Sequence, residues 1–362
     1  MGDSAELTAL AIQQREKGLL HPGMPNYDDK LRETWGGPPM KMYPEALKQY
    51  PSMFSAQRGR VALVTGGTGG IGFYVAKLLA KVGLTVILPS RPGLAHESEG
   101  TVKAILAEVP DAKLIVPDVP LDLGSYASVS AFGAHMRSSS AVERIDVLCC
   151  NAGIMLMPDE ASKDGYDITI TTNVLSHFLL ARELLPALEA AASATGDARV
   201  VSMSSGSGMG PPGFDAAYFA AGSGGALGGP TGANARYHQS KLANLLFTSA
   251  LDEKLRARGS RVKALACTPG VCGTDMYEHV QGVFNPGKPV DFGAVASVED
   301  GCLGQLKCIC DPTVESGECW GPNGYSGPPV RLVVGPPRVK IDEASKAGLW
   351  AACEGAVGVF EV

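Results

Sequence analysis

Tyr237 and Lys241 stand four residues apart in the run Tyr237-His238-Gln239-Ser240-Lys241. The apolar spacing around them predicts a helix over 237–255. Positions i and i+4 of a helix share a face, so a phenol and an amine point the same way. That pair suits carbonyl reduction, in which a proton is donated as hydride arrives. A free phenol titrates at about 10, too high to serve both directions well at neutral pH. A neighbouring ammonium favours the phenolate and lowers that value. Alone the spacing is weak, because an ordinary pair on a helix surface shares it.

Two more side chains could meet this pair. Ser204-Ser205 closes the apolar run Arg199-Val200-Val201-Ser202-Met203. A hydroxyl there can hold a substrate oxygen by a hydrogen bond. Ser205 is the choice over Ser204, with a plain turn residue as the alternative. Asn173 opens a helical stretch, Val174–Leu188. It could hold a water that touches Lys241 and completes a proton relay. The alternatives are a helix cap or a satisfied core amide.

These residues need a frame. From Arg60 onward, short apolar runs alternate with helical stretches. Strands are expected at 61–64, 85–88, 114–116, 147–150, 199–203 and 262–267, with further helices at 71–82 and 125–135. Such alternation predicts a parallel sheet covered on both faces, in an α/β, Rossmann-type doubly wound domain. Residues 206–233 and 275–297 are rich in glycine or irregular and are expected as loops near the site.

Thr65-Gly66-Gly67-Thr68-Gly69-Gly70-Ile71-Gly72 sits between the first strand and its helix. Bare backbone lets a pyrophosphate approach, and a helix N-terminus supplies N–H groups to it. Gly66, Thr68, Gly70, Ile71 and Gly72 are the candidate contacts with a dinucleotide. Its nicotinamide cation would add to the effect of Lys241 on the phenol. The second strand ends at Leu88-Pro89-Ser90-Arg91 with no acidic residue to accept from a ribose hydroxyl. Arg91 could pair with a 2′-phosphate, which favours NADP over NAD; the alternative is a solvated surface charge. Asp122, followed by Leu123, could accept from the adenine amino group or cap the next helix. Asn151, Ala152 and Gly153 end the fourth strand at the ligand-binding edge. Pro269, Gly270 and Val271 follow the sixth, where backbone and Thr274 could meet the nicotinamide carboxamide.

Composition narrows the classes. The chain has 362 residues, 45% of them hydrophobic, and a net charge of −6. It carries no long basic run, which argues against nucleic acid or anionic membrane as a partner. No stretch is long and apolar enough for a membrane span, and the start does not read as a secretory signal. Of the nine cysteines, the later set Cys302, Cys308, Cys310 and Cys319 lacks paired CxxC spacing and nearby histidine. The cysteines are expected as buried reduced thiols, with no metal, in a cytoplasmic setting or an organelle lumen.

In this order the pieces resemble the short-chain dehydrogenase/reductase family over about 60–322. The segments from Tyr237 to Phe247 and from Asn173 to Leu180, together with Arg91, are similar to its retinol-dehydrogenase-like branch. The tail around Cys319–Gly324 and Leu349-Trp350 is similar to the C-terminal ends of some bacterial and algal members. The resemblance implies NADP-linked interconversion of an alcohol with an aldehyde or ketone, often bulky and apolar. It assigns Ser205, Tyr237, Lys241 and Asn173 as the catalytic set. It also implies pairing of subunits through the helices of the fourth and fifth units, as a homo-oligomer. Departures are Cys150 in place of a second asparagine, Thr268 in place of histidine, and a long gap from Ser205 to Tyr237. The expected organisation is an arm at 1–57, a catalytic domain at 58–325 and an extension at 326–362. A cofactor-binding scaffold in a larger assembly is the second reading. A nucleotide-sugar epimerase or dehydratase, which shares the fold and Tyr-x-x-x-Lys, is the third.

Overall fold

The computed structural model describes residues 57–139, 144–284, 286–287, 295–322, 327–333 and 341–362. The arm expected at 1–57 therefore lies outside the described residues, apart from Gln57. The described strands are β1 Val61–Val64, β2 Thr85–Ile87, β3 Lys113–Ile115, β4 Val147–Cys150, β5 Ala198–Met203, β6 Val262–Cys267, β7 Cys319–Pro322 and β8 Pro329–Leu332. They form one sheet in the order β3-β2-β1-β4-β5-β6-β7-β8. Neighbours pair in parallel except β7 with β8. The sheet is the doubly wound Rossmann type expected from the alternating pattern. Chain order reverses at β1 and β4, and ligands bind such sheets at the carboxyl edge of that reversal.

The helices are α1 Gly70–Lys81, α2 Ala95–Glu108, α3 Tyr126–Ser138, α4 Ser176–Thr195, α5 Ala233–Ala257, α6 Asp275–Phe284, α7 Leu303–Cys310 and α8 Glu343–Val357. Alternate strand residues serve opposite layers. Leu63, Leu148, Val200 and Ala264 pack with α3, α4 and α5. Ala62, Val64, Val147, Cys149, Val201 and Leu265 pack with α1 and α7. Burial on both faces explains why these strands read as continuous apolar runs.

Three features depart from the sequence reading. Helix α2 was not expected; its start, Ala95-His96-Glu97-Ser98-Glu99, is polar, and its buried residues include Glu97, Ser98 and Thr101. The stretch 275–297, expected to be irregular, contains α6. Residues 319–332 add β7 and β8 to the sheet.

Helix α8 packs along α5. Its N-terminus is capped by Asp342, which accepts from the Ser345 amide at 2.8 Å. Trp350 anchors it, with ring centroids 5.0 Å from Phe178 on α4, 6.1 Å from Phe247 on α5 and 5.4 Å from Phe360. Lys254 lies over the indole at 4.6 Å. The helices expected to pair between subunits thus carry α8 on a shared apolar face. Trp350→Ala is expected to lower unfolding free energy by about 3–5 kcal/mol, the cost of a large core cavity. Urea denaturation followed by circular dichroism measures it; a change within about 0.5 kcal/mol, the range of a surface substitution, would show that α8 is not part of the core.

Candidate active site

The glycine turn is built from close backbone approach. A Cβ on Gly72 would stand 2.2 Å from the Gly66 carbonyl oxygen and 2.5 Å from Asn151 Nδ2. Gly66 and Gly70 adopt φ of 65° and 50°, where glycine is favoured. No side chain caps α1, so the amides of its first turn are available to an anion. The turn therefore fits a dinucleotide pyrophosphate. Thr68 lies beside α2, its carbonyl accepting from Thr101 at 3.4 Å. Thr274 flanks the turn from the other side: its Cγ2 would be 3.8 Å from a Cβ on Gly70.

Thr65 ties this turn to the fourth strand. Its hydroxyl oxygen accepts from the amides of Asn151 and Ala152, each at 3.0 Å. The Asn151 side chain donates back to the Thr65 carbonyl at 2.9 Å. Thr65 Oγ1 also lies 2.9 Å from His177 Nε2, while His177 Nδ1 lies 3.2 Å from the Asn173 carbonyl. A carbonyl only accepts, so Nδ1 carries the proton. Nε2 is then bare and accepts a hydrogen bond from the threonine hydroxyl. Burial drives the His177 pKa down to about 4, with the Asn173 carbonyl opposing and the Lys241 charge assisting.

Asn173 sits in a π-helical turn, Thr171–Leu175, ahead of α4. Its Oδ1 accepts from the Ile154 amide at 2.9 Å. Its Nδ2 donates to the Ile154 carbonyl at 2.9 Å and to Ser240 Oγ at 3.0 Å. Both N–H bonds are thus committed, and a water relay would draw on the spare lone pair of Oδ1. That oxygen and Lys241 Nζ converge on Gly153, where a Cβ would be 3.3 Å from each. Lys241 is buried and donates to the Met203 carbonyl at 3.1 Å.

Tyr237 lies on the same face of α5. Lys241 Nζ is 5.6 Å from its ring centroid, and Ser205 lies near enough to its phenol to favour the phenolate. Ser204 points elsewhere, donating to the Lys241 carbonyl at 2.8 Å. The electrostatics differ from the sequence argument, in which lysine lowers the phenol. Burial pushes Tyr237 up to about 12, against the opposing effect of Ser205. Burial likewise pushes Lys241 down to about 8. In a dry site both groups favour their neutral forms, and this outweighs their mutual influence.

The outer contacts are less open than expected. Arg91 is held by Glu97, whose oxygens lie 2.7 and 3.0 Å from Nη2. The arginine side chain is 52% exposed and the glutamate 9%. Asp122 accepts from the Gly124 amide at 2.9 Å and from Lys163 at 2.8 Å, so it closes a turn. The cap of α3 is Ser125. The Leu123 carbonyl accepts from Ser176 at 2.7 Å. Gly270 has φ of 72°, and the Val271 carbonyl accepts from Ala296 at 2.9 Å; Pro269 is half-buried beside them. All nine cysteines are buried and free. Among the described residues no helix is long and apolar enough to cross a membrane.

The family model for short chain dehydrogenases matches residues 60–228. Human polyprenol dehydrogenase is 35% identical over 236 residues, covering 63% of this chain and 65% of that protein. Human retinol dehydrogenase 13 is 34% identical over 225 residues, 61% of each chain. These matches span just under two thirds of both relatives. A crystal structure of an uncharacterised protein from Mycobacterium paratuberculosis superposes with a TM-score of 0.64 at 29% identity, covering 84% of this chain and 96% of that one. The chain belongs to the short chain dehydrogenase family. Within it, the sequence falls in the retinol-dehydrogenase-like branch.

For this short chain dehydrogenase, the sequence reading missed three residues that the structure brings to the site. Glu97 lies six positions after Arg91, at the start of an unexpected helix. His177 stands at i+4 from Asn173, a spacing that could have flagged it. Gln305, from α7, donates to Asn151 Oδ1 at 3.2 Å and has no local signal in sequence. The neutral His177 carries a pH consequence. Its folded pKa, about 4, lies below the ordinary 6.5, so its contribution to stability is present above 6.5. That contribution is lost as pH falls through this window toward 4. His177→Phe is expected to flatten the acid limb of stability over that range, as read from urea midpoints at stepped pH; an unchanged limb would assign the loss elsewhere.

Proposed function

We propose that the chain is an NADP-dependent oxidoreductase that interconverts an alcohol with an aldehyde or ketone of bulky, apolar type. The observation that carries this reading is the Tyr237–Lys241 pair, its amine 5.6 Å from the phenol ring and beside Gly153, one strand from the glycine turn, with Ser205 near the phenol. The relatives' names, polyprenol dehydrogenase and retinol dehydrogenase 13, favour apolar alcohols as the substrate class. Gly66, Thr68, Gly70, Ile71 and Gly72 would hold the pyrophosphate, and Asn151–Gly153 with Pro269–Val271 and Thr274 the nicotinamide half. Asp122 and Leu123 would border the adenine. When bound, the dinucleotide supplies or accepts the hydride.

The chain's own groups handle the oxygen and its proton. Ser205 Oγ holds the substrate oxygen beside the phenol. Tyr237 Oη gives its proton to that oxygen during reduction and takes it back during oxidation. Lys241 places positive charge next to the ring and steadies the phenolate that forms. Asn173 fixes Ile154 and Ser240 around this centre and offers Oδ1 to a relay water. Tyr237→Phe is expected to cut carbonyl reduction about 100- to 10,000-fold, the worth of a positioned acid, while NADPH still binds. Near-normal turnover in that variant would remove Tyr237 from the mechanism. Reductive kcat/KM is expected to fall as pH rises through about 8, where Lys241 loses its charge. Lys241→Met should have low activity without that limb.

Cofactor choice rests on Arg91. NADPH is expected to bind about 10- to 100-fold tighter than NADH, the worth of about 1.5–3 kcal/mol for a charge-assisted hydrogen bond. Glu97 is a resident anion on that arginine, so a 2′-phosphate meets a guanidinium already partly neutralised. Glu97→Gln should therefore widen the gap, by roughly 1 kcal/mol for the loss of a nearby like charge. Arg91→Asp should close or reverse it. Fluorescence titration of both cofactors decides; equal affinities in the parent chain would end the NADP assignment.

A further inference from the structure

Arg236 directly precedes Tyr237 and is fully buried. Its Nη1 donates to the carbonyls of Leu227 at 3.0 Å and Gly229 at 2.7 Å. Its Nη2 donates to the carbonyl of Met157 at 2.8 Å. Two carboxylates face it. Asp167 lies 3.1 Å from Nε, and Asp159 lies 3.8 Å from Nη1. A Cβ on Gly232 would come within 3.0 Å of Nη1 and 2.1 Å of the Leu227 carbonyl oxygen, so the loop is shaped closely around the guanidinium.

Each acid organises a different element. Asp159 accepts from the amides of Gly225, Leu227 and Gly229 at 3.0, 2.9 and 2.7 Å. It thereby gathers the end of the long loop between Ser205 and α5. Asp167 caps the short helical segment that leads to Asn173, accepting from the amides of Thr169 and Ile170, both at 2.9 Å. Four pieces meet at one planar cation: the segment after Gly153, the start of the Asn173 helix, the long loop and the Tyr237 helix. Only arginine offers several fixed donors to such divergent acceptors. A buried cation in turn holds its anions strongly, because leaving either alone in a dry interior is costly.

We propose that Arg236 is a positioning residue with two separable arms, Asp167 setting the Asn173 helix against Tyr237 and Asp159 setting the loop that walls the substrate side. The proposal rests on the oxidoreductase reading above for its kinetic readout. The two arms predict different kinetic defects. Asp159→Asn cannot accept all three loop amides, because one oxygen becomes a donor. Its KM for decanal with NADPH should rise about tenfold, with kcat within about twofold of the parent. Asp167→Asn keeps a good cap but removes the charge facing Arg236. Its kcat should fall about 10- to 100-fold, as expected for a displaced reacting group, with KM for decanal near the parent's. NADPH affinity, read by fluorescence, should be unchanged in both, since the glycine turn lies on other elements. Arg236→Lys retains the charge without the fork and should share both defects in weaker form.

Amide hydrogen exchange gives a readout independent of turnover. Asp159→Asn should speed exchange at Gly225, Leu227 and Gly229 and leave β1 and β2 protected. Parallel changes of kcat and KM in the two aspartate variants, or equal loss of NADPH binding, would reduce Arg236 to a general fold staple. If the parent chain reduces no decanal, the oxidoreductase reading fails with that aldehyde. The exchange pattern then still decides whether the loop is anchored here, and unaltered exchange overturns the proposal.

Discussion

An ammonium has been taken out of water at the end of β5. Lys241 is buried against a backbone carbonyl, that of Met203, with the Asn173 amide oxygen across Gly153. Dipoles compensate a buried charge only in part, which is why burial lowers this lysine and does not leave it at its ordinary value. The surrounding geometry follows from the need to bring dipoles this close. Gly153 has no side chain where the lysine and asparagine meet. Gly208 has none where its turn presses on α5, since a Cβ there would be 2.5 Å from the Leu242 amide nitrogen. Ser204 fastens β5 to the Lys241 carbonyl, so strand end and helix move as one.

The two halves of the site are joined through the sheet's interior. One half is a turn of bare backbone at β1, the other a set of side chains on α5 and the π-helical turn. His177 spans them with a single proton on its ring, donating to Asn173 and accepting from Thr65. The same threonine hydroxyl holds the amides after β4. A carboxylate in place of His177 could not donate to the Asn173 carbonyl. A lysine could not accept from Thr65. A neutral imidazole satisfies both ends, and burial keeps it neutral.

How much of this was legible in sequence depended on whether the signal was local. Strands β1, β2, β4, β5 and β6 are short apolar runs bounded by turn residues, and they lie within a residue or so of the expected places. The glycine turn and the Tyr237–Lys241 spacing are also local, because bare backbone and helical offset are written directly into residue type and number. Helix α2 escaped because its buried residues are polar apart from Ile105: Glu97 is needed by Arg91, and Thr101 by the Thr68 carbonyl. Helix α6 escaped because Gly282 and the proline and glycine residues that follow it make the whole stretch read as irregular. The links that organise the site, such as Gln305 to Asn151 or Arg236 to Asp159, span large separations and leave no periodic trace. For the same reason the sequence argument left out one effect on the phenol. It counted the neighbouring charge, which is visible at i+4, and not the depth of burial, which is a property of the assembled fold.

That burial bears on the proposed reaction. With burial holding the phenol high, Tyr237 keeps its proton across the neutral range, the form that the proposed carbonyl reduction would use. A proton donor is what carbonyl reduction needs at the start, whereas alcohol oxidation needs the phenolate first. Any positive charge brought next to the ring moves the balance toward phenolate, because the site supplies little water to screen it. Lys241 supplies such a charge below about pH 8, and burial opposes its effect on the phenol. The same dry walls therefore couple the two groups: conditions that restore charge to the lysine also make the tyrosine easier to ionise.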